Sequence, residues 1–499
     1  MPSAADTELA PANSSYRDVL LRNRRMAGLL LGDLLANAGT GMLIVAMPVQ
    51  TLAVHGSLDA ALAIAMVEAA PFLLSTVLAL AISLGRFSAP PRRLLLADCV
   101  LRAVAFTGLG VLTVADRLTL PVLVGGLLLG STCRMAGSSS RRLLATSMVD
   151  DVDRFAVNGL LGLGSNFALL VVGPVAGGLL VAWAGAGRAL FADACGALIL
   201  LVSVLRCVPR APVAGAADGR EPEHAPEGRP PYETEHGPEH GPQQPQRTPS
   251  EKALRVPSEK TPEAPSKQTP EAPSKQTPEA PSESTSPAPS KQTPEAPWEQ
   301  TPEREPRRES GWRVLRRRPV AGHLLVVVFF FNFLYMPIEV ALPLYVRDTL
   351  HSGASGLGLL WTALGVGALA GAALVDRLRG LPQRPLLVAV IALWALCPIA
   401  LAGIGDRTAA MVVFGLGGLV WAPFTPIAYS FLQSGLRDDE QQPVVTLWTT
   451  GSTVAAPLGL LAGGPLIALA GLRTSLVLSG LLTMLLAVLA AWSVARGPR

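Results

Sequence analysis

Leu84-Gly-Arg-Phe-Ser-Ala-Pro-Pro-Arg-Arg-Leu-Leu-Leu96 is the stretch that organises this chain. A second stretch, Val375-Asp-Arg-Leu-Arg-Gly-Leu-Pro-Gln-Arg-Pro-Leu-Leu387, lines up on it without a gap. Each stretch follows the second member of a series of long apolar segments, and the correspondence extends outward. Asn37 to Pro48 in the first segment and Asn332 to Pro343 in the seventh share a spacing of eleven, and Ala176-Gly-Gly in the fifth answers Ala462-Gly-Gly in the eleventh. The chain therefore reads as two related halves. Such halves let one bundle rock against the other around a central site, the mechanical requirement of alternating access.

A helix crosses a hydrocarbon layer with ~20 mainly apolar residues, because every backbone N–H and C=O must be satisfied internally there. Twelve segments qualify: 26–53, 59–84, 94–115, 119–138, 155–184, 188–208, 320–346, 354–375, 385–404, 408–433, 443–471 and 473–494. The expected fold is an all-α membrane protein of twelve transmembrane helices in two pseudo-symmetric six-helix bundles with a long disordered central linker. The segmentation gives a cytoplasmic tail over 1–25, a first bundle over 26–208, a linker over 209–310 and a second bundle with a short tail over 311–499. Half of the residues are hydrophobic and only 16% are charged, a balance that a water-soluble chain of 499 residues rarely shows.

The net charge of +4 conceals a division. Residues 211–310 hold 12 basic and 18 acidic side chains, whereas the remainder holds 29 basic against 19 acidic. A basic membrane body suits anionic lipid headgroups, and no nucleic-acid partner is expected. In the short loops, 22 arginines fall on one side of the spans and five on the other, which places both termini and the linker in the cytoplasm. The 36 arginines against five lysines point to a GC-rich bacterial coding sequence, hence to a bacterial cytoplasmic membrane. No cleavable signal peptide is expected. All five cysteines lie in or at the ends of apolar segments without metal-ligand spacing, so no metal, cofactor or disulfide framework is expected.

The linker carries six successive octads from Pro257 to Arg304, most often TPEAPSKQ. Pro- and Glu-rich repeats bury nothing and stay extended. They serve either as a tether or as a docking arm for a cytosolic partner of unknown identity.

With these features the chain resembles the major facilitator superfamily. Asp376-Arg377, with Arg379 and Arg384, looks like the family's loop signature, in which an Asp and several Arg latch helices on the cytoplasmic side; the equivalent Asp position in the first half is Gly85. Gly173-Pro174-Val-Ala-Gly177-Gly178 resembles the core of the antiporter motif, which goes with exchange. Asp98-x-x-x-Arg102 and Phe191-Ala-Asp193-Ala look like the branch of siderophore exporters and macrolide efflux pumps. The resemblance implies a secondary transporter, and Arg134 is similar to the fourth-helix arginine of drug antiporters.

An ionisable group in hydrocarbon costs ~2.5 to 3.5 kcal/mol, so each one in a span is a candidate for substrate, proton or structural work. Glu339 lies eight residues from Arg347, and Glu68 nine from Asp59, placing both ~12 to 14 Å deep. Asp33, eight residues from Arg25, lies ~12 Å from the other side. These three, with Arg134, are the proton- or cation-coupling candidates; the alternative is that they hydrogen-bond across the bundle and fix packing. Arg134 has a further alternative, a helix-end arginine snorkelling to lipid phosphate. Asp98 and Arg102, spaced i and i+4, are expected to pair structurally. Asp193, five residues from Arg188, is expected to reach the outer interface.

Phe331 and Tyr335 in the seventh span, Trp421 and Phe424 in the tenth, and the equivalent Asn37 and Asn332 are the substrate-cavity candidates, since aromatic faces suit flat apolar or cationic ligands. Their bland alternative is contact with lipid. No enzyme constellation competes: a P-loop is lacking, and Ser138-Ser-Ser140 has no histidine partner. The expected function is export of an amphiphilic, drug-like small molecule in exchange for protons. The alternatives are export of a siderophore or lysolipid, and a non-transporting scaffold or sensor.

Overall fold

Caps and prolines start the helices, and glycines turn the chain between them. Asp59 accepts from the backbone N–H groups of Ala61 and Leu62, Asp406 accepts from that of Ala409, and Pro91 and Pro319 occupy first-turn positions where no N–H is needed. Gly185 (φ 84°, ψ 161°) alone separates the fifth and sixth spans, and Gly471 (φ 80°, ψ 162°) alone separates the eleventh and twelfth. The same left-handed hinge at equivalent places is the internal repeat written in backbone geometry.

The computed structural model describes residues 23–149, 151–208, 310–378 and 380–495. The amino-terminal tail, the octad linker and Arg379 lie outside the described residues. Among the described residues, twelve helices are long and apolar enough to cross a membrane. Spans 1 to 3 are Arg24–Val54, Ala60–Ser83 and Pro91–Val114. Span 4 is Leu120–Gly130 continued by Arg134–Thr146, and span 5 is Asp151–Phe167 continued by Gly173–Ala184. Span 6 is Ala186–Cys207. After a short helix, Gly311–Arg317, come spans 7 to 9: Pro319–Asp348, Ala354–Leu378 and Gln383–Gly403. Span 10 is Arg407–Trp421 with Phe424–Ser434, span 11 is Asp438–Ala470 and span 12 is Leu472–Ala495.

Span 4 departs from expectation. It does not end at 138 but turns at Ser131–Cys133 and runs on to Thr146. Arg134 therefore opens the second helix in the middle of the span rather than lying near the span's cytoplasmic end, as the snorkelling alternative would need. Span 10 breaks correspondingly, at Ala422 and Pro423.

Span 5 shows what the Gly-Pro pair does. Pro174 has no N–H to give to Leu170, and the ladder widens into a π-turn over Ala168–Val172, closed by the Gly173 N–H on the Ala168 carbonyl. The loosened carbonyls meet other helices where those helices carry no side chain. A Cβ on Gly41 of span 1 would run into the Leu169 carbonyl, and one on Gly365 of span 8 into that of Leu170. Close Cα–H···O approaches of this kind add modest stabilisation that accumulates along a seam.

The two halves meet through a matched pair of such seams. Gly177 lies on the backbone of Met42 in span 1, while Gly178 lies on Ala354, Ser355 and Gly358 of span 8. In the other half, Gly463 lies on Pro337 of span 7, while Gly464 lies on Ala61, Leu62 and Ala65 of span 2. In each pair, the first glycine faces its own half and the second faces the opposite half. Both seams sit toward the arginine-poor face. Toward the arginine-rich face, spans 2 and 11 diverge around an open cleft of about 320 Å³ lined by Thr76, Ser83, Thr446, Thr449, Thr450 and Thr453.

Gly365→Leu is expected to push span 8 off span 5 by occupying the place of the Leu170 carbonyl. In a cysteine-free background, spin labels at Leu179→Cys and Leu359→Cys then report a longer, broader distance distribution than without the substitution. An unchanged distribution would show that the seam does not hold the halves together.

Candidate functional site

Between the halves lies a central cavity of about 320 Å³ whose walls come from spans 1 to 5 on one side and spans 7, 8 and 10 on the other. Its charged groups are three. Glu68 comes from span 2, Arg134 from the start of the lower part of span 4, and Glu339 from span 7. Prolines gather beside them: Pro71 follows Glu68 by three residues, and Pro343 follows Glu339 by four and leaves the Glu339 carbonyl without its helical donor. The Glu339 carboxyl interacts with the Tyr335 hydroxyl one turn back on the same helix.

The aromatic wall is specific. Tyr335 stacks on Trp421 with ring centroids 5.5 Å apart and leans on Trp394 at 5.3 Å, and Trp361 packs edge-on against Phe414 at 5.8 Å. On the opposite side the Arg134 guanidinium sits over the Phe72 ring at 5.3 Å, a cation–π contact inside the protein. Met47 and Met336 supply adaptable apolar surface.

The sequence-predicted residues divide accordingly. Glu68, Glu339, Arg134, Tyr335 and Trp421 converge on this cavity. Phe331 and Phe424 do not line it: they stack on each other at 3.9 Å and are almost wholly buried in the core of the second half. Asn332 turns its side-chain amide onto the Val328 carbonyl of its own helix at 2.8 Å.

Asp33 and Asn37 line a separate, smaller pocket with Ser138, Arg141, Arg142 and Ser165. Asp33 forms an ion pair with Arg141, accepts from Ser165 Oγ at 2.5 Å and from Asn37 Nδ2 at 3.0 Å, and is buried. Of the coupling candidates, Asp33 thus stands apart from Glu68, Glu339 and Arg134. Its partner Arg141 was hidden because span 4 is longer than its hydropathy indicates.

The expected Asp98–Arg102 pair is corrected. Arg102 reaches across to Asp193 of span 6, forming a buried ion pair, and donates to Thr40 Oγ1 at 2.7 Å. Asp193 is fully buried and does not reach the interface. Helical spacing permits an i, i+4 pair but does not oblige it, and Thr40 offers the guanidinium a further acceptor that only the tertiary fold reveals.

The latch candidates Asp376 and Arg377 end span 8, and Arg384, near the start of span 9, places its guanidinium over the Phe431 ring at 5.5 Å. Gly173, Pro174, Gly177 and Gly178 form the seam described above. Among the described residues, no group of three or more His, Cys, Asp or Glu could hold a metal ion. The residues that sequence reasoning missed are Thr40, Phe72, Arg141, Ser165 and Trp361, none of which belongs to a motif.

The decisive comparison is with the family profile of the Major Facilitator Superfamily, which matches residues 29–442 and so takes in most of both bundles. The chain belongs to the Major Facilitator Superfamily. This facilitator is 30% identical over 187 residues to the multidrug efflux pump Tap of Mycolicibacterium fortuitum, covering 37% of the chain and 45% of that protein. It is 32% identical over 145 residues to the protein of that name in Mycobacterium tuberculosis, covering 28% and 34%. The aligned part of the chain thus spans less than half the length of these curated relatives. Among solved structures it resembles the nucleoside transporter NupG, with a TM-score of 0.62 at 10% identity, covering 95% of the chain and all of that one. It also resembles a bacterial homolog of the human lysosomal transporter Spinster in an inward-facing, unoccupied conformation, with a TM-score of 0.58 at 12% identity and 97% of both chains covered. These last two likenesses show the fold of this facilitator, and only the fold.

The Arg102–Asp193 pair yields a stability test. Arg102→Ala leaves an uncompensated buried carboxylate and is expected to destabilise the first bundle by about 3–5 kcal/mol, whereas Arg102→Met with Asp193→Leu recovers most of it. Thermal unfolding in detergent, followed by tryptophan fluorescence, checks the order of the three proteins.

Proposed function

We propose that this transporter exports an amphiphilic, drug-like cation in exchange for protons, from the cytoplasm across a bacterial cytoplasmic membrane. The observation that carries the reading is one cavity holding a carboxyl group from each half, Glu68 and Glu339, with a single guanidinium, Arg134, and an aromatic wall. When all three are ionised, the cavity has one negative charge more than Arg134 balances. An excess negative charge in a low-dielectric site is satisfied by a proton or by a cationic ligand, and competition between the two is the physical basis of exchange. Because the two carboxyls come from opposite halves, the rocking that exposes one side or the other also changes their separation. One proton entering for one monovalent cation leaving moves no net charge, so the pH gradient drives that exchange at about 1.4 kcal/mol per pH unit, and each additional proton adds ~2.3 kcal/mol per 100 mV.

The partial identity to multidrug efflux pumps supports the direction and the substrate class. A site for anionic siderophores needs more than one arginine, so the cavity favours cations over that alternative. The arginine-rich face is proposed as cytoplasmic, where it meets anionic lipid, and the octad linker as a tether between the halves. Asp33 with Arg141 is proposed as a brace within the first bundle, and Asp376, Arg377 and Arg384 as a latch at the cytoplasmic face.

The test uses acid-loaded inverted vesicles carrying the protein. Ethidium is expected to raise internal pH, an anionic amphiphile is not, and Glu68→Gln and Glu339→Gln are each expected to abolish most of the response. Absence of any response in vesicles containing abundant folded protein would overturn proton-coupled export of cations.

A further inference from the structure

Outside the walls of the cavity, on span 3, lies a carboxyl group that the reading above does not use. Asp98 of span 3 is 2% exposed, and its Oδ1 has no hydrogen-bond partner among the described residues. Span 4 is pressed onto it: a Cβ on Gly137 would lie 2.8 Å from Asp98 Cβ, Cγ and Oδ2. Arg134 stands one turn before Gly137 on that helix, so the helix that closes over Asp98 also carries the cavity's guanidinium.

The charged and titratable groups facing Asp98 are Arg102 and Cys99 on its own helix, Arg134, Arg141 and Cys133 on span 4, and Asp193 on span 6. Two of the three arginines are engaged, Arg102 by Asp193 and Arg141 by Asp33. Arg134 has no carboxylate within ion-pairing distance among the described residues; the charges acting on it are those of Arg102, which repels it, and of Asp98, Asp193 and Glu68, which attract it. Three carboxyl groups, Glu68, Glu339 and Asp98, therefore share one uncommitted cation. Hydrocarbon supplies no mobile counterion, so two of the three need a proton or a ligand's charge. Asp98 is closed to a ligand by Gly137 and by its burial, which leaves it the proton.

We propose that Asp98 is a second proton-binding residue, sealed from substrate, that exchanges its proton as Arg134 shifts between the cavity carboxyls and Asp98. When a cationic substrate takes its place beside Glu68 and Glu339, Arg134 is repelled from the cavity and turns back. The O–H bond of Asp98 then breaks, its carboxylate takes the guanidinium, and the proton passes to water in the cavity. Departure of the substrate reverses each step. Gly137 is the positioning residue of this exchange, since only a missing side chain lets span 4 approach the carboxyl.

The inference rests on the proton-coupled reading, and the experiment separates the two. Infrared difference spectra of the purified protein at neutral pH are expected to show the C=O band of a protonated buried carboxylic acid. The band is expected to shift on labelling of aspartate, to vanish in Asp98→Asn and to fall when ethidium is added. In weakly buffered solution, ethidium is expected to release one proton fewer from Asp98→Asn than from the wild type and to bind the variant about tenfold more weakly, as linkage to release of a full proton requires. A band insensitive to aspartate labelling, or undiminished proton release from the variant, overturns the Asp98 site alone. No release from the wild type overturns the coupled reading and this exchange together. If Asp98→Asn does not fold, the labelled wild-type protein carries the test.

Discussion

Helices in a membrane cannot rely on the hydrophobic effect to hold them together, since lipid tails are as apolar as leucine side chains. What joins the two halves here is close backbone contact at glycines. Gly178 against Gly358 and Gly464 against Ala61 and Ala65 bring spans 5 and 8, and spans 2 and 11, together near the arginine-poor face. Everything below depends on that joint. With the halves fixed there and divergent beyond it, a space opens between them, and the inward-facing residues of spans 2, 4, 7 and 10 become its walls. Pro174 belongs to the same device. By removing one donor, it widens span 5 into a π-turn whose carbonyls rest on Gly41 and Gly365, so that one helix touches both halves through backbone alone. A joint made of backbone and small residues has few interdigitated side chains to unlock when the halves move.

The first bundle concentrates charge and the second concentrates aromatic surface. Asp33 with Arg141 and Asp193 with Arg102 are buried ion pairs linking spans 1 and 4 and spans 3 and 6, and each is completed by hydroxyl or amide groups, from Ser165 and Asn37 for the first and from Thr40 for the second. Such pairs add little net stability against an apolar core, but losing one partner is expensive, so they fix which helices stand beside one another. The second bundle instead packs Phe331 on Phe424, Tyr335 on Trp394 and Trp421, and Trp361 on Phe414. The cavity draws on both: a charge-bearing wall that can change its pattern and a stiff aromatic wall that can hold a flat ligand in place.

The architecture was legible in the sequence because its signals are local. Twenty apolar residues identify a span whatever lies next to it, and the gapless pairing of 84–96 with 375–387 identifies the repeat. Span 4 shows the limit: Arg134, Arg141 and Arg142 lower its hydropathy, so its lower half reads as a loop although it is helix to Thr146. That one error moved Arg134 to the cytoplasmic end of its span and concealed the partner of Asp33. The aromatic candidates failed for another reason. Phe331 and Tyr335 are four residues apart on one helix, yet a small difference in rotation sends Phe331 into the core and Tyr335 to the cavity. Composition gives the helix and its depth, but the angle about the helix axis is set by what packs against it. The same holds for Arg102, whose partner was decided by Thr40 and Asp193 on two other helices.

Glycine at position 137 connects these themes. At the joint between the halves, glycines let backbones approach one another, but here the missing side chain makes room for a carboxyl group. Burying Asp98 against bare helix has no structural gain that alanine and leucine would not provide more cheaply, since a carboxyl oxygen without a donor is a cost. Its contact with Gly137, one turn along span 4 from the only arginine of the network without an ion pair among the described residues, gives that cost a purpose in the proposed exchange. An arginine shared among several carboxyls and paired with none of them is the group whose position a change in the charge of the cavity would move, as the proposed exchange requires. A cavity that could be read only from its own walls would bind a cation; one whose arginine answers to a second, hidden acid can also sense when the cation has arrived.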